Sequence, residues 1–359
     1  MTPYYITVIL VLLFTLVAGK NRKQLISEDN YILYTGDKAY KITVVFSTLI
    51  LIFVSAFRYQ VGTDYMGYYF SNQIRAAKLW EDLRNFNEPG LDLIATISNL
   101  ISTHPVYFFL LVAIVTVPLN IIPIAKYSDY LWLGVLLYIF TGAWHNSFNG
   151  VRQYLAAAIL FSGHRYILKR ELKKYVLIVM FASMFHRTAF VMLPVYFLVG
   201  RQFTWKNAFL IFAGTLVIRY SYDFLFSIMS TLKGHEQSQY EYMQTSVNEL
   251  RVLSTIPPIV LAMISGWDFR NQPENAFYLG LLVVNAGFMI GTSGSAYLAR
   301  AAIYTEIYTT IAIPRFLNAF NESTKRLLTF MVVVLYAVFW WYELSTRDSL
   351  NNFHWIFGH

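Results

Sequence analysis

The sequence predicts an all-α, polytopic integral membrane protein with about 10–12 transmembrane helices and a large extracytoplasmic segment after helix 2. Three observations carry this. Of 359 residues, 57% are hydrophobic and only 13% charged, whereas water-soluble domains carry about 25% charged residues. The apolar residues come in blocks of about 16 to 22, near the roughly 20 that cross a bilayer core as a helix. Segments of about 10 alternating residues, the mark of a membrane barrel, do not occur.

The candidate spans are 3–19, 42–57, 105–125, 131–148, 150–168, 175–199, 207–228, 252–267, 277–294, 297–314 and 327–345. The first lacks the basic region that opens a cleavable signal peptide and carries Lys20, Arg22 and Lys23 after its apolar run. It reads as a retained helix with its amino end outside. Segments 20–41 and 164–175 are strongly basic and are expected in the cytoplasm, where loops collect Lys and Arg. Helix 42–57 then runs outward and delivers "RYQVGTDY" (58–65) to the outer side. Reaching 164–175 inside takes the four spans 42–57, 105–125, 131–148 and 150–168, so 58–104 stays outside. Within it, "EPGLDLIATISNLIS" (88–102) is expected as a short interfacial or re-entrant helix. Block 175–199 reads as one tilted span or as two half-helices turning at His186–Arg187; the broken version agrees better with the basic residues that follow. No internal repeat or long linker divides the chain, so one membrane domain, 1–359, is expected.

The charged residues narrow the function. The formal charge of +8 sits mostly in short loops, so orientation explains it and nucleic acid is not an expected partner. There is no cysteine, no HExxH or other ligand spacing among the seven histidines, and no GxSxG. No metal site or cofactor is expected from these residues. What remains on the outer side is Arg58, Arg152 and Arg300, with Asp64 and His186 beside them. Each has an ordinary alternative: Arg58 snorkelling to headgroups, Asp64 capping the helix that begins "YMGYYF", His186 as a structural histidine, Glu88 as part of the "EPG" turn. Arg152 in a first helical turn opposes the helix dipole and calls for an anion. Several arginines with few acids suit a phosphate ligand. Tyr59, Tyr65, Tyr68, Tyr69 and Tyr154 suit stacking on sugars or an interfacial aromatic belt.

Four stretches carry a resemblance: "FRYQVGTDYMGYYF" (57–70), "NEPGLDLI" (87–94), "NGVRQYLAAAI" with "FHRTAFVMLP" (149–194), and "YLARAAIYTEIYTTIAIP" (297–314). In these the chain resembles the EpsG-like exopolysaccharide biosynthesis proteins, related in role to Wzy-type O-antigen and capsule polymerases. The last stretch departs from the family's usual Arg-Leu-Ser-x-Tyr, reading Arg300-Ala-Ala-Ile-Tyr304. The resemblance implies a polymerase joining undecaprenyl-pyrophosphate-linked repeat units at the outer face of the bacterial inner membrane. Its implied partners are the lipid-linked glycan donor and acceptor, membrane lipids, a chain-length regulator and a flippase. On that reading Arg58, Arg152 and Arg300 bind pyrophosphate, with Tyr65 and Tyr304 in the substrate-binding set. The catalytic candidates are Asp64 first, His186 second and Glu88 third. A glycan acyltransferase using His186, or a transporter or flippase of lipid-linked oligosaccharide, are the competing classes; the latter predicts repeated halves that the sequence lacks.

Overall fold

A computed structural model of the chain describes residues 1–27, 31–233 and 245–357, and nearly every ordered element is helical. The chain divides into two compact units, one formed by Met1–Phe190 with Thr329–His359, the other by Val191–Leu328. The first unit contains α1 (Thr2–Lys20), β1 (Arg22–Ile26), β2 (Ile32–Gly36), α2 (Lys38–Ala56), β3 (Arg58–Tyr59), α3 (Tyr65–Asn85), α4 (Pro89–Ile101), α5 (Val106–Tyr127), α6 (Leu131–Phe140), α7 (Val151–Ser162), α8 (His164–Leu168), α9 (Leu172–Ser183) and a late strand β4 (His354–Trp355).

Two sets of contacts define the two ends of this unit. At one end β3 pairs antiparallel with β4. The Met1 ammonium donates to the Asn351 carbonyl at 3.0 Å, and the Gly62 N–H donates to the Ser349 carbonyl at 2.8 Å. The start of α1 and the end of α2 therefore meet the same C-terminal segment. At the other end the β1–β2 hairpin joins α1 to α2. There Asp37 starts α2 by accepting the Tyr40 N–H at 2.8 Å. Arg22, stacked 3.8 Å over Tyr34, donates to the Ala125 and Asp129 carbonyls at 2.9 Å each. A cation at the carboxyl end of α5 satisfies carbonyls that the helix leaves unbonded. The Tyr31 hydroxyl reaches the Leu168 carbonyl, 3.3 Å away, at this same end.

Among the described residues five helices are long and apolar enough to cross a membrane: Thr2–Lys20, Lys38–Ala56, Val106–Tyr127, Pro273–Gly291 and Glu322–Ser345. Blocks 131–148 and 150–168, expected as full spans, fold differently. The first becomes the 10-residue α6, closed by Gly142 at φ 97° and a 3-10 turn over His145–Phe148. The second becomes the 12-residue α7 and the short α8. Their apolar character serves the protein interior: every residue of α6 except Trp132 is buried. Block 175–199 is broken, as its preferred reading held, with α9 ending at Ser183 and a 3-10 turn over Arg187–Val191. Segment 58–104 contains α3 and α4 packed as a helical hairpin; α3, at 21 residues, is too polar for a span and longer than the short helices expected there.

The second unit is built on the helix Trp205–Lys233 against Pro273–Gly291. In it Arg315 forms a buried ion pair with Glu274, and its Nε donates to Asn275 Oδ1 at 2.8 Å. Block 297–314 is not one helix but a 3-10 turn, Leu298–Ala302, followed by the helices Ile303–Glu306 and Thr309–Phe316.

Candidate functional site

The turn between α3 and α4 is conformationally costly. Phe86 (φ 49°) and Glu88 (φ 57°) both adopt the left-handed region, which costs a non-glycine residue of order 1–3 kcal/mol and persists only where its surroundings hold it. Pro89 then starts α4, its fixed φ suiting a first helical position. Gly90 brings this helix start against the end of α9: its N–H donates to the Met184 carbonyl at 2.9 Å, and a Cβ there would meet the Phe185 ring at 2.6 Å. One turn into α4, buried Asp92 pairs with Arg75 of α3 at 3.3 Å, tying the two helices together just beyond the bend.

This construction aims the Glu88 carboxylate at three donors from distant parts of the chain. Its Oε1 accepts the Arg187 backbone N–H at 2.9 Å and lies 2.9 Å from His186 Nδ1. Its Oε2 accepts Arg152 Nη1 at 2.6 Å. The Arg187 side chain turns back over the bend, donating through Nη2 and Nε to the Phe86 carbonyl at 2.7 and 3.2 Å. The glutamate side chain is 12% exposed, that of His186 21% and that of Arg152 40%. The acid thus sits inside, with two basic groups between it and the surface. Tyr68 also bonds Arg152.

Burial by itself pushes the Glu88 carboxyl up, but the hydrogen bonds from His186 and the Arg187 N–H, with the charge of Arg152, outweigh it and hold the group down at about 2. A carboxylate held below its ordinary 4.5 contributes stability that is complete above that value and lost as pH falls toward 2. The melting-temperature gap between the wild type and Glu88→Gln is therefore expected to be constant above about pH 5 and to close progressively in acid, measured by thermal unfolding in detergent across a pH series.

The remaining candidates fall in different places. Asp64 is half-buried at the start of α3 and makes no capping bond there with its side chain, which accepts from Thr63 Oγ1 at 3.3 Å. Its neighbourhood is tied to that of Arg152 through the Thr63 N–H, which donates to Asn149 Oδ1 at 2.7 Å. Gly62, at φ 106°, permits this close approach; a Cβ would lie 2.6 Å from Asn149 Oδ1 and 2.8 Å from the Phe148 carbonyl. Arg58 faces the interior. Expected in the pyrophosphate-binding set, it is 3% exposed and turned inward, donating to the Ser55 carbonyl in the last turn of α2 and, through Nε at 3.3 Å, to that of Val61. Tyr65, stacked on Phe109 at 4.5 Å between ring centres, and Tyr304, both expected in the substrate-binding set, are fully buried. Arg300 lies in the second unit, its guanidinium 5.8 Å from the centre of the Tyr297 ring. The structure thus joins Glu88, His186 and Arg152 directly, and adds Arg187. That residue was passed over as a companion of His186; its position immediately after the histidine at a break between two apolar runs was the available signal.

Among the described residues no group of three or more His, Asp or Glu is placed to hold a metal ion. No curated protein and no solved structure matches the chain significantly. A family model does: that of the EpsG family, over residues 41–356.

Proposed function

Because the chain belongs to the EpsG family, a membrane-protein family of polysaccharide biosynthesis, we propose that it is a polysaccharide polymerase. It joins oligosaccharide repeat units carried on undecaprenyl pyrophosphate, and the cluster around Glu88 is its reaction site. The observation that carries the assignment is the convergence on one carboxylate of His186, Arg152 and the Arg187 N–H.

The reaction forms a bond from an acceptor sugar hydroxyl oxygen to the anomeric carbon of the donor and breaks the bond from that carbon to the pyrophosphate oxygen. It needs a base for the hydroxyl proton and positive charge for the departing pyrophosphate. With Glu88 accepting the Nδ1 proton of His186, the imidazole is held in the tautomer whose Nε2 lone pair is free to take the hydroxyl proton; the carboxylate then stabilises the imidazolium. Arg152 bonds Glu88 and Tyr68, and the remaining N–H groups of its planar fork are proposed to take phosphate oxygens. Arg187, exposed beside it, is the second cation for the leaving group. Asp64, near the same end of the unit, is proposed to position the acceptor. The assignment rests on the first unit alone.

The sidedness of this site follows from charge. The hairpin end of the first unit carries Lys20, Arg22, Lys23, Lys38, Lys41, Lys126, Arg165, Lys169 and Arg170, and the preference of Lys and Arg for the cytoplasm directs the opposite end, with Glu88, outward. The chain has no cysteine of its own, which allows a direct test. In intact cells an impermeant thiol reagent is expected to label Arg84→Cys and to leave Lys23→Cys unlabelled; the reverse pattern overturns the orientation. For the activity, purified protein supplied with a defined undecaprenyl-pyrophosphate-linked repeat unit, without nucleotide, is expected to release undecaprenyl pyrophosphate and build a ladder of longer chains. Transfer of an acyl group at constant glycan length would instead identify an acyltransferase.

A further inference from the structure

Arg58 poses a separate question. Its guanidinium has five N–H donors, of which two are used, on the carbonyls of Ser55 and Val61. It pairs with no carboxylate among the described residues, although it is 97% buried, being 3% exposed. An arginine so enclosed carries a desolvation penalty of several kcal/mol unless opposite charge offsets it. The rings of Phe148, Phe109 and Tyr65, with centres 4.5, 4.8 and 5.7 Å from its Cζ, offset part of this. They accept no N–H in the plane of the guanidinium.

Beside the guanidinium lies a small cavity between α2, α5 and α7, bounded by Arg58, Ser55, Thr116, Ser147, Phe148 and Val151, with room for a water or a monatomic ion. Thr116, 4% exposed, has a buried hydroxyl with no hydrogen-bond partner, and it lines this same cavity. The polar groups lining the cavity with hydrogen-bonding capacity left are thus the Arg58 guanidinium, three of whose five N–H groups are uncommitted, and the Thr116 hydroxyl. A water accepts two hydrogen bonds and brings no charge. A monatomic anion accepts from all directions and neutralises the guanidinium.

We propose that this cavity is a buried halide site, occupied by one chloride ion held by Arg58 and Thr116, which locks the end of α2 against α5 and α7 behind the Glu88 cluster. The residues lining the cavity include none of the Glu88 cluster, so this proposal stands whether or not the proposed activity does.

The test uses the full chain in detergent. Its melting temperature is compared in sodium chloride and in sodium gluconate at equal ionic strength, since gluconate cannot enter a space of this size. Saturable stabilisation by chloride, reaching roughly 2 °C or more, is expected, as for any ligand bound only by the folded state. Thr116→Val, which keeps shape and removes the hydroxyl, is expected to abolish most of the difference. Crystals grown in bromide are expected to show an anomalous peak within hydrogen-bonding reach of Arg58. Equal melting temperatures in the two salts, an undiminished chloride effect in Thr116→Val, or bromide density elsewhere only, each overturns the proposal; a non-anomalous solvent peak at the position identifies a water instead.

Discussion

Replacing Glu88 by Gln is expected to reduce polymer formation by at least about 10²-fold, the lower end of what a positioned proton-transfer group contributes, while the protein still reaches the membrane. The amide keeps the size of the carboxylate but not its charge or its four acceptor sites. Oε1 serves two donors, the Arg187 N–H and His186 Nδ1, and Oε2 serves Arg152; an amide can meet these demands on one side only, and its NH2 faces a donor on the other. His186 loses the group that fixes its tautomer, and Arg152 loses its anchor. The readout is polysaccharide chain length in cells at matched protein levels, with single lipid-linked units accumulating in the variant. Because Glu88 and His186 act as one unit in this proposal, the double variant Glu88→Gln with His186→Ala is expected to be no worse than either single change. Long chains at wild-type yield from Glu88→Gln, or additive losses in the double variant, would remove this pair from the chemistry.

Arg152→Ala is expected to lower polymer formation by about 10²–10³-fold, the range seen when one preorganised stabilising group is taken from a developing negative charge, and Arg152→Lys to recover only a small part of it, because an ammonium cannot bind carboxylate and phosphate in the same plane. The change separates function from stability. Arg152 is the second residue of α7, where a cation opposes the helix dipole, so its removal spares the helix a local cost even as it frees Glu88. The melting temperature is therefore expected to move by only a few degrees while activity collapses. A variant that loses activity only in proportion to lost protein would mark Arg152 as a structural partner of Glu88 rather than a ligand for substrate.

How far the sequence discloses this arrangement depends on distance along the chain. The spans at 3–19, 42–57, 105–125, 277–294 and 327–345 correspond to long apolar helices, because a hydrocarbon slab imposes a length that a window of residues can register. The blocks 131–148 and 150–168 mislead because burial inside protein and exposure to lipid select the same side chains; α6 is apolar on almost every face because protein surrounds it. The β1–β2 hairpin lay within a stretch read only for its charge, and the β3–β4 pairing joins two residues to a segment nearly three hundred positions away. At the site, His186 and Arg152 stand out as polar residues beside apolar runs, but their common partner is 64 residues from one and 98 from the other. Glu88 therefore looked like a turn residue and ranked below Asp64. It is indeed in a turn, and the left-handed backbone of that turn is what orients it. Arg58 illustrates a different limit: a guanidinium at the end of an apolar helix can cap that helix's carbonyls or bind a ligand, and the sequence does not give the direction in which it points, here toward the Ser55 carbonyl.

The strand pairing of Arg58–Tyr59 with His354–Trp355 bears on biogenesis. The end of the first unit that holds the Glu88 cluster is not closed until nearly three hundred further residues have left the ribosome and Glu322–Ser345 has been inserted. Until then the nascent chain exposes an unmatched strand edge and the start of α1 without its Asn351 partner. A chain that stops short of this point leaves that end of the unit without the segment that pairs with it, so its completion depends on the last residues to be made.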